Sequence, residues 1–385
     1  MSVPTRTLFL VVLLVVAGCQ GAAPRLCTPY WPDIPLSVAE IPSDPPVIQL
    51  AELWRAGGSA EGEEIAEPAS IAVSSRGAVA VVDFWLAQVS VISPEGEWLG
   101  SWGRRGRGPG ERMMPVAANW SGDTLVVFDI EQAKVVRYVD AAHVDELRVP
   151  VEFITPVAMS GSIDFVAVAA DGTVLLQQPL AALSPDSSAL VILAQRPGAS
   201  RPDTVVGATV AHVEMDWMRL VRPGTAAPLA AVGPDGWLVR TAGDGSYRIA
   251  WGDGDAQAQL CAAQPPLPLT PEERGAGEAP AGFEKAAAAV ESARPPATLN
   301  SVGRVLVGSS GDLWIDRRRP RPFLRERQFG VAGGAMDVFD SGGGYRGRAV
   351  IPDRVMIQGV ADSVAIGIEF GEFDEVTVVA YRLGG

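Results

Sequence analysis

The chain has 385 residues with 45 acidic and 31 basic side chains, a formal charge of −14. That balance excludes a general nucleic-acid binder, which needs a positive surface to neutralise phosphates. Only Lys134 and Lys285 of the basic residues are lysines; with abundant Ala, Gly, Pro and Val, this arginine bias points to a GC-rich genome and discounts arginine runs as signals.

Residues 1–18 read as an export signal. Arg6 supplies a thin positive start, Leu8 to Val16 is an unbroken run of nine apolar residues, and Val16-Ala17-Gly18-Cys19 sets small residues before a cysteine. A helix needs roughly 20 apolar residues to cross a bilayer core, so this run is the core of a signal peptide and not a permanent span. Val-Ala-Gly-Cys resembles the bacterial lipoprotein box, which makes Cys19 the lipidated first residue; the alternative is an ordinary signal peptide with a chance cysteine. Removing residues 1–18 takes away one arginine and no acid, which leaves −15. The expected location is the cell envelope, periplasmic or surface-facing, with membrane contact through the N-terminal lipid only.

Residues 19–46 are Pro-rich and weakly patterned, from Thr28-Pro29-Tyr30-Trp31-Pro32 to Pro45-Pro46, and read as an extended tether. The two remaining cysteines, Cys27 and Cys261, are an even pair in a disulfide-permissive compartment. A bridge from the tail to the middle of the chain and two unpaired thiols both remain open.

From Val47 to Gly385 the signal is all β: short runs of Val, Ile, Leu and Ala cut by Gly, Pro, Asp and Ser clusters. Aligning the runs gives six imperfect units. Their turn glycines at 77, 122, 172, 236 and 311 lie 45, 50, 64 and 75 residues apart, and Asp362 takes the equivalent place 51 residues later. The early intervals match the 40–50 residues of a propeller blade. A Pro-rich insertion with a helical stretch, Gln264 to Pro296, accounts for the widest interval. The last unit ends at Tyr381-Arg382-Leu383 with no room for a fourth strand, whereas Val47 to Trp54 is an apolar strand before the first unit. These readings predict one six-bladed β-propeller in which the N-terminal strand closes the last blade, since radial closure hides the sheet edges.

The Gly108-Pro109-Gly110-Glu111 bend, Phe339-Asp340-Ser341-Gly342 and the closing Tyr381-Arg382-Leu383 resemble the bacterial six-bladed β-propeller lipoproteins of the broader NHL-like group. The resemblance covers most of residues 47–385 and is poorest in the third unit. It implies the fold; that family is largely without assigned activity.

No motif carries chemistry. His143 and His212 lie 69 residues apart, too sparse for a zinc site of three or four N or S ligands, so no metal or other cofactor is expected, although a carboxylate site for a hard cation stays open. Asp253-Gly254-Asp255 and Gly243-Asp244-Gly245 read as hairpin turns. The Gly103 to Gly110 loop lacks the Lys-Ser/Thr of a P-loop and precedes a strand, which makes it an interblade bend. A Gly-x-Ser-x-Gly nucleophile motif is missing.

Topology supplies one lead. Loops from a fourth strand to the next blade open on the same face as loops between strands two and three. That face is expected to gather Arg104, Arg105 and Arg107 with Asp83, Trp85, Asp129 and Arg317 (the last opening an arginine-rich stretch to Arg327), either as a binding surface or as solvated loop tips. The expected protein is a monomeric, non-enzymatic binding or scaffold module whose partner is an envelope protein or an anionic small ligand. The rival is a propeller lyase or hydrolase with a metal in the channel, which stoichiometric calcium or zinc in the purified protein would favour.

Overall fold

The computed structural model describes residues 27, 29–58, 64–66, 68–154, 166–184, 187–215, 218–221, 230–233, 237–241, 246–253, 258–262, 264, 302–317, 333–371 and 375–384. Residues 1–26, with the expected signal peptide and Cys19, lie outside them, as do nearly all of the insertion after Gln264 and residues 318–332.

Six four-stranded antiparallel units follow one another around a ring. Blade 1 is Pro68–Val73, Val79–Asp83, Gln88–Ile92 and Trp98–Ser101. Blade 2 is Pro115–Ser121, Thr124–Asp129, Lys134–Val139 and Ala142–Arg148. Blade 3 is Val166–Val168, Val174–Ser184, Ser187–Gln195 and Asp203–Met215, with Met218–Val221 added at its edge. Blade 4 is Ala230–Val232, Trp237–Thr241, Arg248–Asp253 and Ala258–Ala262. Blade 5 is Arg304–Val307, Leu313–Asp316, Gly334–Phe339 and Tyr345–Ile351. Blade 6 is Val355–Ala361, Val364–Phe370, Val376–Leu383 and, as its outermost strand, Leu50–Gly57.

The turn residues explain the regular spacing. Gly77, Gly122, Gly172 and Gly311 hold φ of +89°, +55°, +87° and +81° between the first two strands of their blades, and Asp362 does the same at +45°. Left-handed backbone favours Gly, and Asp is among the few residues that tolerate it.

The middle strands are largely apolar because both of their faces pack against neighbouring blades. Alternation sends successive side chains to opposite neighbours: Val79 and Val81 join the core between blades 6 and 1, whereas Ala80 and Val82 join that between blades 1 and 2. In blade 2, Leu125 and Val127 pack toward blade 1, and Val126 and Phe128 toward blade 3. The buried apolar residues thus fall into six clusters, one at each junction between neighbouring blades. The Asn119 side chain donates to Gly233 O at 2.8 Å, linking the inner strands of the non-adjacent blades 2 and 4.

The ring closes as the orphan N-terminal strand required. Leu50–Gly57 runs antiparallel to Val376–Leu383, with Trp54 opposite Ala380. Trp54 also reaches blade 1. Its indole donates to Pro94 O at 2.8 Å, and a Cβ on Gly96, at φ +91°, would stand 2.7 Å from the ring.

Residues 29–48, expected as part of a free tether and of the closing strand, lie instead along the rim. Leu36–Ala39 adds to blade 4 as a parallel fifth strand, and Val47–Ile48 does the same for blade 5. The buried Gln259 side chain holds this segment: it donates to Trp31 O at 2.7 Å and to Ile34 O, and accepts from the Tyr30 amide at 3.3 Å. Cys27 and Cys261 form a disulfide, Cα to Cα 5.6 Å, which joins the segment to the fourth strand of blade 4.

Candidate functional site

The face carrying the four-to-one loops is called upper. Its best-built region spans blades 1 and 2, where the Gly-rich loop between Ser101 and Pro115 folds onto blade 2. Arg104 and Arg105 pair in parallel with Glu111 and Arg112. Three glycine amides that a phosphate would need are already used. Gly108 N donates to Glu111 Oε2 at 2.7 Å, Gly110 N to Glu146 Oε1 at 2.8 Å, and Gly106 N to Arg112 O at 2.9 Å. The loop is an interblade bend.

Below it sits a buried ionic layer that the sequence reading missed. Lys134, almost fully enclosed, donates to Glu146 Oε1 at 2.7 Å and to Gly108 O at 3.4 Å. Burial alone raises the Glu146 pKa, but hydrogen bonds from Lys134 and the Gly110 amide outweigh it and leave the carboxyl below its ordinary range. Tyr138 donates to Gly110 O at 2.7 Å, and His143 lies against Gly110 with Nε2 3.9 Å from Glu146. Arg112 is completely buried. Its guanidinium nitrogens meet no acceptor in the described structure, and the cation lies 5.2 Å from the centre of the Tyr138 ring. The available signal was Lys134 itself, a lysine retained in an arginine-biased chain.

Asp83 and Asp129 are not surface carboxylates. Each ends the second strand of its blade with the side chain turned inward and buried. Asp83 accepts from Leu86 N and Ala66 N, both at 2.7 Å. Asp129 repeats the bracket with Gln132 N at 2.8 Å, Met114 N at 3.1 Å and Met113 N. Each carboxylate ties its two-to-three loop to the segment entering the same blade. Asp129→Ala, which strips three part-buried amides of their acceptor, is expected to cost about 2–4 kcal/mol of stability. Trp85→Ala should stay within about 0.5 kcal/mol, and thermal melts of the two variants distinguish the roles.

The arginines divide as well. Arg104 pairs with Glu111 at 2.6 Å, and Arg107 pairs with Glu131 of the blade 2 loop. The Gly108 amide and Arg104 hold Glu111 below the usual carboxylate range. Arg105 is exposed and makes no ion pair with any described residue. Trp85 is 66% exposed. Arg317 belongs to blade 5 and is half-buried, its Nη1 3.5 Å from Gln264 Oε1, so it stands apart from the loops of blades 1 and 2. Residues 318–327 and the His212 side chain lie outside the described structure. Among the described residues no three His, Cys, Asp or Glu side chains converge as a metal site, and no helix is long and apolar enough to cross a membrane.

No family model and no curated protein matches the chain. Among solved structures, a Bacteroides vulgatus protein from a family of unknown function is similar over 88% of this chain and 99% of its own, at 8% identity and a TM-score of 0.50. What is shared is the fold. A Bacteroides fragilis protein assigned as exported matches over 91% of this chain and 100% of its own, at 11% identity and a TM-score of 0.48. The calcium-binding regucalcin of Agrobacterium tumefaciens matches over 88% and 96%, at 10% identity and a TM-score of 0.38.

Proposed function

We propose that this protein is a lipid-anchored, non-enzymatic binding module of the bacterial cell envelope that captures an anionic partner on the upper face over blades 1 and 2. The observation that carries the reading is a division of labour. Asp83 and Asp129 are engaged within the protein, whereas Trp85 and Arg105 are offered to solvent from loops tied down beside them, flanked by Arg104 and Arg107, each exposed and held by one surface ion pair. An exposed indole and a guanidinium that makes no ion pair with any described residue suit a partner with both an anionic and a planar group. Against a net charge of −14, such a cation also discriminates in favour of anions.

The double variant Trp85→Ala, Arg105→Ala tests it. Capture of partners from an envelope extract by the immobilised protein is expected to fall at least about tenfold, which corresponds to about 1.4 kcal/mol, with an unchanged melting temperature. Capture of the same partners at the same salt sensitivity would refute the site.

A further inference from the structure

We infer that the rim of blades 4 and 5 rests on the anchoring bilayer and that the Cys27–Cys261 disulfide holds it there, leaving Trp85 and Arg105 on the half of the ring remote from the lipid. The inference rests on the reading of Cys19 as the lipidated residue.

The first support is the length and end point of the chain outside the fold. Seven residues lie between Cys19 and Cys27, and the eight Cα steps span at most about 28 Å. Cys27 is fastened to the fourth strand of blade 4, three positions around the ring from blade 1. Each blade extends three strand spacings of about 4.8 Å outward, so the rims of blades 1 and 4 stand roughly 30 Å apart before the central channel is counted. A leash this short holds the attachment point on blade 4 within about 28 Å of the membrane and puts no such limit on the blade 1 rim.

The second support is the surface beside the attachment point. Val38 and Val47 are each 55% exposed on the strands added to blades 4 and 5, and Tyr30 and Val350 are exposed next to them. These additions are the outermost strands of their sheets among the described residues, with apolar side chains exposed on them. Proteins ordinarily cover such edges. Asp33, Glu40 and Asp44 are exposed on the same segment, so the surface suits neutral headgroups and is repelled by anionic ones. A partner of Trp85 and Arg105 is then a soluble or opposing-surface molecule, and not a headgroup of the anchoring leaflet.

The test uses untagged, lipidated protein in phosphatidylcholine vesicles doped with a nickel-chelating lipid. A nitroxide is placed at Val38→Cys or, separately, at Leu99→Cys in blade 1, where the native side chain is also exposed. Relaxation enhancement by nickel is expected to be at least about threefold greater at position 38. Equal enhancement, or more at 99, in protein that floats with the vesicles overturns the orientation alone. Protein that does not float overturns the anchor and the orientation with it. Adding Cys27→Ala together with Cys261→Ala, which leaves no free thiol opposite position 38, lengthens the leash and should lower the enhancement at 38 toward that at 99; an unchanged value would remove the disulfide from the account.

Discussion

A mature chain shortened to begin at Glu64 is expected to show no cooperative thermal transition and to aggregate. It lacks Leu50–Gly57, so blade 6 is left with three strands and Val376–Leu383 becomes its open edge. The core between blades 6 and 1 loses Ala56 and the packing of Trp54, and the Arg55 to Glu369 ion pair at 2.6 Å disappears. These losses fall on the junction where the ring closes, and together they rival the 5–15 kcal/mol that stabilises a typical domain. A chain beginning at Pro46 keeps the closing strand and should still melt cooperatively. It loses the disulfide and the Leu36–Ala39 strand, so its stability falls below that of the chain with both by on the order of 2–4 kcal/mol, and its midpoint falls with it. Equal midpoints for chains beginning at Glu64 and Pro46 would contradict the closure.

Replacing Cys19 with Ser is expected to move the protein from the membrane fraction to the soluble fraction. The proposal rests on Val16-Ala17-Gly18-Cys19 after an apolar run too short to span. A single acyl chain gives only marginal binding, so stable anchoring implies more than one chain on Cys19. Fractionation with a metabolic lipid label reads the outcome. Protein that stays with the membrane and carries no label would show that something other than this cysteine holds it.

The fold was legible because propeller geometry acts on single residues. A left-handed turn demands Gly or an equivalent, and Asp362 at φ +45° fills that place where the sixth glycine is missing. Middle strands buried on both sides read as unbroken apolar runs, which distinguishes blade strands from half-exposed ones. The rim segment was not legible for the converse reason. Leu36-Ser37-Val38-Ala39 is a short run among prolines, and its pairing partner, Gln259 to Ala262, lies more than two hundred residues away. Topology placed Asp83 and Asp129 on the upper face but could not give their direction; as terminal strand residues they turn inward to bind backbone amides. Arg104 and Arg107 looked available because Glu111 and Glu131 were not recognised as their partners. Of the expected face, Trp85 and Arg105 are exposed, and Arg105 makes no ion pair with any described residue.

The most direct test of the binding account is photo-cross-linking in intact cells, with a benzophenone amino acid replacing Trp85 or, as a control, Leu99 in the outer strand of blade 1. Both native side chains are exposed, so neither replacement should disturb the core. The account predicts a discrete high-mass adduct from position 85 that weakens when Arg105→Ala is added, and none from position 99. The same adducts from both positions, or none from 85 in protein that is correctly localised, would contradict it.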